Sequence, residues 1–183
     1  NSARQTLRQV PVEELLVGRV YGDFATAGQA AIGLSDGIGL GAESVFARMG
    51  GKPLSEPLDY RFTREGFQRF YSGMLDAALA GYVDDSWVMG EDLTESIRNA
   101  PILRRQAGLR YERDYIAYWD DLLADIELKV GSDLNAGYLQ DLLFRLADPL
   151  SPLAGLLRLV SENTKVEVSA SGGLAGQAAE ALS

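Results

Sequence analysis

Histidine and cysteine are both absent from the 183 residues, and the two absences remove most of the usual catalytic chemistry. Without Cys there is no disulfide framework, no thiolate nucleophile and no zinc–thiolate site. Without His the chain lacks the commonest general base, the commonest transition-metal ligand and the ordinary partner of a serine nucleophile. Positive charge is also short: 17 Lys and Arg stand against 26 Asp and Glu, a net charge of −9. Lys52 and Lys165 are lone residues, so nothing offers the clustered cations that a nucleic-acid backbone requires. Apolar runs are short and broken by charge or Gly, so no membrane span is expected. There is no initiator Met and no signal peptide, and the chain is expected to be a piece of a longer protein or a processed product.

What remains has the composition of an ordinary globular domain, 46% hydrophobic and 23% charged, enough for one real core with a small lobe attached. The expected class is mainly α, a multi-helix bundle-like domain with an irregular lobe around residues 28–61. Pro11 followed by Glu13 and Glu14 suits a helix first turn, and Val12, Leu15, Leu16, Val20 and Phe24 then share a face, with Gly28 at the end. Residues 28–61 are Gly-dense and interrupted by Pro53 and Pro57; Ser44–Arg48 reads as a short strand and Gly50-Gly51 as a turn. Thr63 is an N-cap candidate with Glu65 in the first turn, opening a helix with Phe67, Phe70, Tyr71, Met74, Ala78, Tyr82 and Val83 on its apolar stripe.

A helix through Leu93 and Ile97 is predicted to stop before Pro101, and a long one to run from Pro101 to Leu128. Its predicted buried face is Leu109, Tyr115, Ile116, Trp119, Leu122, Leu123 and Ile126, with Gly108 a possible bend. Ser132 or Asp133 can cap a further helix with Tyr138, Leu139, Leu142, Leu143 and Leu146 inward, stopped by Asp148-Pro149. Ser151-Pro152 then opens a last helix with Leu153, Leu156, Leu157 and Val160 inward. The Ser-, Gly- and Ala-rich stretch 168–183 reads as a linker or the start of a next segment, which leaves residues 1–167 as the domain.

Three patterns invite a functional reading, and each has a plainer one. Gly37-Ile38-Gly39-Leu40-Gly41-Ala42 fits a dinucleotide-binding spacing, with Asp59 further on. However, neither the preceding strand nor the following βαβ units are in the sequence, and no GK[ST] makes it a phosphate loop. Asp84 or Asp85 with Asp120 or Asp121 could serve as a carboxylate pair for hydrolysis, or for a hard cation. Solvated helix faces with i,i+4 pairs such as Arg110–Asp114 explain the same charges, including Asp121 and Asp125 one turn apart. The aromatics Phe67, Phe70, Tyr71, Tyr82, Trp87, Tyr111, Tyr115, Tyr118 and Trp119 could line a ligand groove, but packing between two long helices uses such residues more often. No catalytic, cofactor-binding or metal-binding residue is therefore nominated, and the chain is expected not to be an enzyme; a small-ligand-binding module is the first rival and a carboxylate hydrolase the second.

The wording of four segments goes further. SVFARMGGKPLSEPLDYRFTREGFQRFY (44–71) resembles the VF–RxSGKPL phrase and FTxxGF helix start of the IcmF/TssM family. VDDSWVMG (83–90) resembles its acidic E-x-W-V-L-G signature, and LRYERDYIAYWDDLLADIEL (109–128) its Y-x-x-D-Y-x-x-x-W-x-x-L-x-x-L helix. DPLSPLAGLLRLVSENTKV (148–166) is similar to its S-P-L-x-x-L-L-x-x-V-x-x-N-T ending. The resemblance covers roughly residues 1–167 in the family's order. It implies the periplasmic helical region of a large, inner-membrane-anchored component of the type VI secretion system, with relatives in type IVB systems. It also implies a non-catalytic role in the trans-envelope complex, self-association in the full-length protein, and an inner-membrane partner. An outer-membrane lipoprotein would be docked mainly through a C-terminal region outside this sequence.

Overall fold

The computed structural model describes residues 11–28, 31–88, 93–129 and 150–166, with Gly137, Gln140, Leu143, Phe144 and Asp148 between them. The Ser132/Asp133 cap with Tyr138, Leu139, Leu142 and Leu146, and the 168–183 stretch, lie outside the described residues. So do the side chains of Trp87, Leu93 and Ile97. Within the described part the fold is mainly α, as expected.

Helix α1 (Val12–Thr26) buries Leu16, Val17, Val20 and Phe24, one residue round from the predicted face: Val17 replaces Leu15, which points to solvent. Two short helices follow, α2 (Leu34–Ile38) and α3 (Ala42–Val45), and then strand β1 (Phe46–Arg48). The predicted strand is thus present in its second half. The predicted irregular lobe is more integrated than the sequence suggested, because Leu34, Ile38, Ala42, Val45, Phe46, Leu54 and Leu58 all belong to the one hydrophobic core. A 3-10 turn (Tyr60–Phe62) leads to Thr63, whose hydroxyl oxygen accepts the Gly66 N–H at 3.1 Å and caps α4 (Arg64–Arg69).

From α4 the chain passes through a π turn (Phe70–Met74), kinked where Gly73 leaves helical geometry (φ 168°, ψ −26°), into α5 (Leu75–Val88). The wider π turn carries the inward stripe from Phe70 to Leu75 in one step. The buried set is therefore Phe67, Phe70, Leu75, Ala78 and Leu79, with Tyr71, Met74 and Tyr82 half-buried against it. The predicted stripe, drawn at a constant helical period, missed Leu75 and Leu79 for that reason.

Helix α6 (Leu93–Asp125) corrects three expectations. It runs through Pro101, although the ring removes one rung of hydrogen bonding. It packs on α1 and α5 along the residues that follow, and that burial offsets the local loss. Gly108 is no bend; it lets the Tyr71 hydroxyl approach to 3.0 Å of where a Cβ would stand. The helix ends at Asp125, because Ile126–Leu128 leave it as strand β2, antiparallel to β1 with Phe46 opposite Leu128 and Arg48 opposite Ile126. Its buried face is Ala107, Tyr111, Tyr115, Trp119 and Leu122, whereas Leu109, Ile116 and Leu123 are exposed.

The last described helix, α7 (Pro152–Thr164), begins as predicted: the Ser151 hydroxyl oxygen accepts from Ala154 N–H, and Pro152 sits in the first turn. It faces the core with Gly155, Leu156 and Leu159, while Leu157 and Leu153 are exposed and Val160 is half-buried. Gly155 is required by proximity, since a Cβ there would lie 1.9 Å from the Ile38 carbonyl oxygen of α2. Leu143, predicted inward, is exposed.

Candidate functional site

Two constructions tie the irregular part of the chain to the long helix. The first is an aromatic seam. On α6, Tyr111, Tyr115, Tyr118 and Trp119 recur at spacings of one, three and four residues, which places them along one side of the helix. Each spends its polar atom on backbone elsewhere. Trp119 Nε1 donates to the Phe62 carbonyl at 2.9 Å and the Tyr111 hydroxyl donates to the Arg61 carbonyl at 2.5 Å. The Tyr118 hydroxyl accepts the Asp59 N–H at 2.9 Å, and the Tyr115 hydroxyl donates to the Asn163 carbonyl of α7 at 2.6 Å. The 3-10 turn at 59–62 makes its own backbone bonds, Phe62 N–H to the Asp59 carbonyl at 2.9 Å and Thr63 N–H to the Tyr60 carbonyl at 3.1 Å, and Tyr111, Tyr118 and Trp119 tie it to α6.

Ring packing fills the same seam. Phe70 stacks on Tyr111 with centroids 3.8 Å apart and planes within 7°, and Phe62 stacks on Tyr118 at 4.9 Å. Tyr71 and Tyr21 extend it outward, donating to Glu112 at 2.6 Å and Asp114 at 2.9 Å. Burial raises the phenol pKa of Tyr21, Tyr71, Tyr111 and Tyr118, and that of Tyr115 to about 12. These hydroxyls are fixed donors and acceptors, not acids available near neutrality.

The second construction is a charged clasp at the C-terminal end of α6, beside a cavity of about 630 Å³ lined in part by Leu34, Arg48, Lys52, Glu56, Tyr118 and Asp125. The β1–β2 register brings Arg48 beside Asp125, the last helical residue. Arg48 Nε donates to Asp125 at 2.6 Å and its other arm to Glu56 at 2.6 Å; Lys52 donates to Glu56 at 3.1 Å and Gly50 N–H to Asp125 at 2.6 Å. The Arg48 side chain is 11% exposed, so this cation is largely withdrawn from water and depends on its partners. The Lys52 hydrogen bond first, and the charges of Lys52 and Arg48 with it, hold Glu56 below the usual carboxylate range. The Gly50 N–H and then Arg48 do the same for Asp125. Both carboxylates are therefore ionised acceptors near neutrality, the opposite of a poised general acid.

The patterns singled out in the sequence fall as follows. Gly37–Ala42 spans the end of α2 and the start of α3, with Gly39 at φ 105° and Gly41 at φ 80° making the reversal between them; no strand feeds it. Asp85 pairs with Arg19 of α1 at 3.2 Å. The Asp76–Arg104 and Tyr71–Glu112 contacts set α4–α5 antiparallel to α6. Asp84 and Asp85 consequently lie roughly 35 Å along the bundle from Asp120 and Asp121, at 1.5 Å per helical residue. The two carboxylate pairs do not meet. Arg110 and Asp114 form the expected i,i+4 pair. Among the described residues no group of His, Cys, Asp or Glu is arranged to hold a metal ion. Sequence reasoning missed the clasp: Arg48 and Asp125 are 77 positions apart, and Asp125 carried no local signal beyond being a surface-type residue.

A family model described as "IcmF-related: Intracellular multiplication and human macrophage-killing" matches residues 1–165. The chain belongs to the IcmF-related family. It is 33% identical over 164 residues to the type VI secretion system component TssM1 of Pseudomonas aeruginosa, an overlap of 90% of this chain and 15% of that protein. No solved structure matches it at a significant level. Three of the four phrases that carry the IcmF resemblance sit at the joints just described. VFARMGGKPL is β1, its turn and the Arg48–Lys52 side of the clasp; FTREGF is the Thr63 cap. Tyr111, Tyr115 and Trp119 of the long-helix phrase form the seam, and SPL is the Ser151 cap.

Proposed function

We propose that this chain is a non-catalytic, periplasmic structural part of the trans-envelope membrane complex of a bacterial type VI secretion system, serving assembly with itself and with envelope partners. The observation that carries the reading is the similarity to TssM1 along 90% of the chain. The geometry is in keeping with it: the seam and the clasp spend polar groups on holding α6, the 59–62 turn, β1 and α7 together, which makes a stiff body suited to bearing load between partners. Among the described residues no helix is long and apolar enough to cross a membrane, so an anchor would lie elsewhere in the parent protein. In this reading residues 1–167 form the domain, and 168–183 lead to the next segment and to the lipoprotein-docking region.

The test is a periplasm-only reporter fused after residue 167 in the full-length protein, together with co-purification of secretion-complex subunits from the same cells. Reporter activity with recovery of envelope subunits is the expected result; a reporter active only as a cytoplasmic fusion would refute the placement. A small-ligand-binding role retains one physical opening, the charged cavity, since the aromatic seam is filled by protein. A clear rise in melting temperature with an added solute would favour it.

A further inference from the structure

The outward face of α6 carries a pattern that the described residues leave uncovered. Ile102, Leu109, Ile116 and Leu123 recur every seven residues, opposite the seam, and are 57%, 49%, 61% and 40% exposed. A seven-residue spacing keeps side chains in one line along a helix, about 10.5 Å apart at 1.5 Å per residue. Arg98 and Arg105 flank the N-terminal half of the line, Arg113 its middle and Asp120 the C-terminal half, with Glu127 just beyond on β2, all exposed. Among the described residues, Arg98, Arg105, Asp120 and Glu127 have no ion-pair partner within the chain.

We propose that this face packs antiparallel against α6 of a second copy, about a two-fold axis passing between Glu112 and Arg113. That register sets Leu109 on the partner copy's Ile116 and Ile102 on its Leu123. It also brings Arg105 to Asp120, Arg113 to Glu112, and Arg98 towards Glu127 where β2 leaves the helix. Every apolar residue meets an apolar one and every charge its opposite, as an isologous interface requires. A parallel pairing would stack arginine on arginine and acid on acid, so the charges select the antiparallel arrangement. The line has one apolar residue per heptad where a stable coiled coil has two, so the contact is weak alone and gains from copies held close together. It deepens the assembly reading above and rests on it for its setting, while the contact itself is a property of the chain in solution.

The absence of cysteine gives a clean test. Leu109→Cys and Ile116→Cys chains are oxidised separately and mixed, and disulfide-linked dimers are quantified. In the antiparallel register residue 109 faces residue 116 of the other copy but lies about 10 Å from its own equivalent, beyond disulfide reach. The mixture should therefore cross-link several-fold more than either variant alone. Equal cross-linking of each variant by itself, or none in any sample, would overturn the proposal. Arg105→Glu or Asp120→Arg should each lower the mixed yield about tenfold through like-charge contacts, and the double swap should restore it; failure to restore it also counts against the register. If cross-linking fails while the full-length protein still recovers envelope subunits, this interface is wrong and the assembly reading stands. Loss of that recovery in the unmodified protein removes the assembly reading instead.

Discussion

Truncating Trp119 to alanine tests the seam where it is deepest. The indole is 3% exposed, meets Tyr118 edge-on with ring centroids 5.8 Å apart, and supplies the donor for the Phe62 carbonyl. Removing a buried tryptophan side chain costs about 3–5 kcal/mol. Part of that is the carbonyl left without its donor, about 1–3 kcal/mol, so Trp119→Phe, which keeps most of the bulk, should cost about that smaller amount. Against a typical domain stability of about 5–15 kcal/mol the alanine variant retains a narrow margin. Urea unfolding followed by far-ultraviolet circular dichroism is the assay. With a slope near 2 kcal/mol per molar urea, the alanine midpoint should fall by about 1.5–2.5 M. A fall below about 0.5 M, which the same slope converts to 1 kcal/mol, would refute the claim that this residue holds the 59–62 turn on α6. A fully stable variant that loses partner binding would place Trp119 in an interface instead.

Three further outcomes follow from the joints. Thr63→Ala removes the hydroxyl that accepts the Gly66 N–H and should cost about 1 kcal/mol in the same assay, as for other helix N-caps. Gly155→Ala drives a Cβ into the Ile38 carbonyl and should cost about 1–3 kcal/mol through displacement of α2 from α7; an unchanged midpoint would mean the two helices are not in contact. Glu56 and Asp125 titrate below their ordinary values of 4.5 and 3.8 in the folded chain. Their contribution is therefore complete above the ordinary carboxylate range and is lost as pH falls through the lowered folded values. Acid unfolding of Arg48→Met should accordingly show a shallower loss of stability below pH 4.5 than the parent chain; parallel acid limbs would show that the clasp contributes nothing.

Local chemistry was legible in the sequence where it is self-contained. Thr63 and Ser151-Pro152 cap helices because an N-cap needs only a side-chain oxygen and a free N–H three residues on. Pro11 before Glu13 and Glu14 opens α1 for the same kind of reason. What escaped depends on geometry that accumulates or on distant partners. The π turn at Phe70–Met74 shifts the helical phase, so a constant period loses Leu75 and Leu79. On α6 two apolar lines run on opposite sides, and period alone does not say which is buried. The seam won because its tyrosines and tryptophan can bury rings and still satisfy their polar atoms on the 59–63 backbone and α7. Ile126–Leu128 became strand because β1, far away in sequence, offered a partner. The clasp needed that same pairing before Arg48 and Asp125 could meet. The described members of the aromatic cluster pack in or against the core as expected, yet its most buried tyrosine, Tyr111, was absent from the predicted stripe.

The central claim is that this domain is a structural member of a secretion complex that acts through its folded body. The most direct measurement is the number of assembled envelope complexes in cells whose full-length parent protein carries a fluorescent tag, comparing Trp119→Ala with Asp84→Asn/Asp85→Asn/Asp120→Asn/Asp121→Asn at matched protein levels. Complexes should be depleted, and secretion with them, in the destabilised Trp119 variant, while the carboxylate variant assembles and secretes normally. Normal assembly with Trp119→Ala, or full assembly without secretion when the exposed carboxylates are removed, would contradict the account.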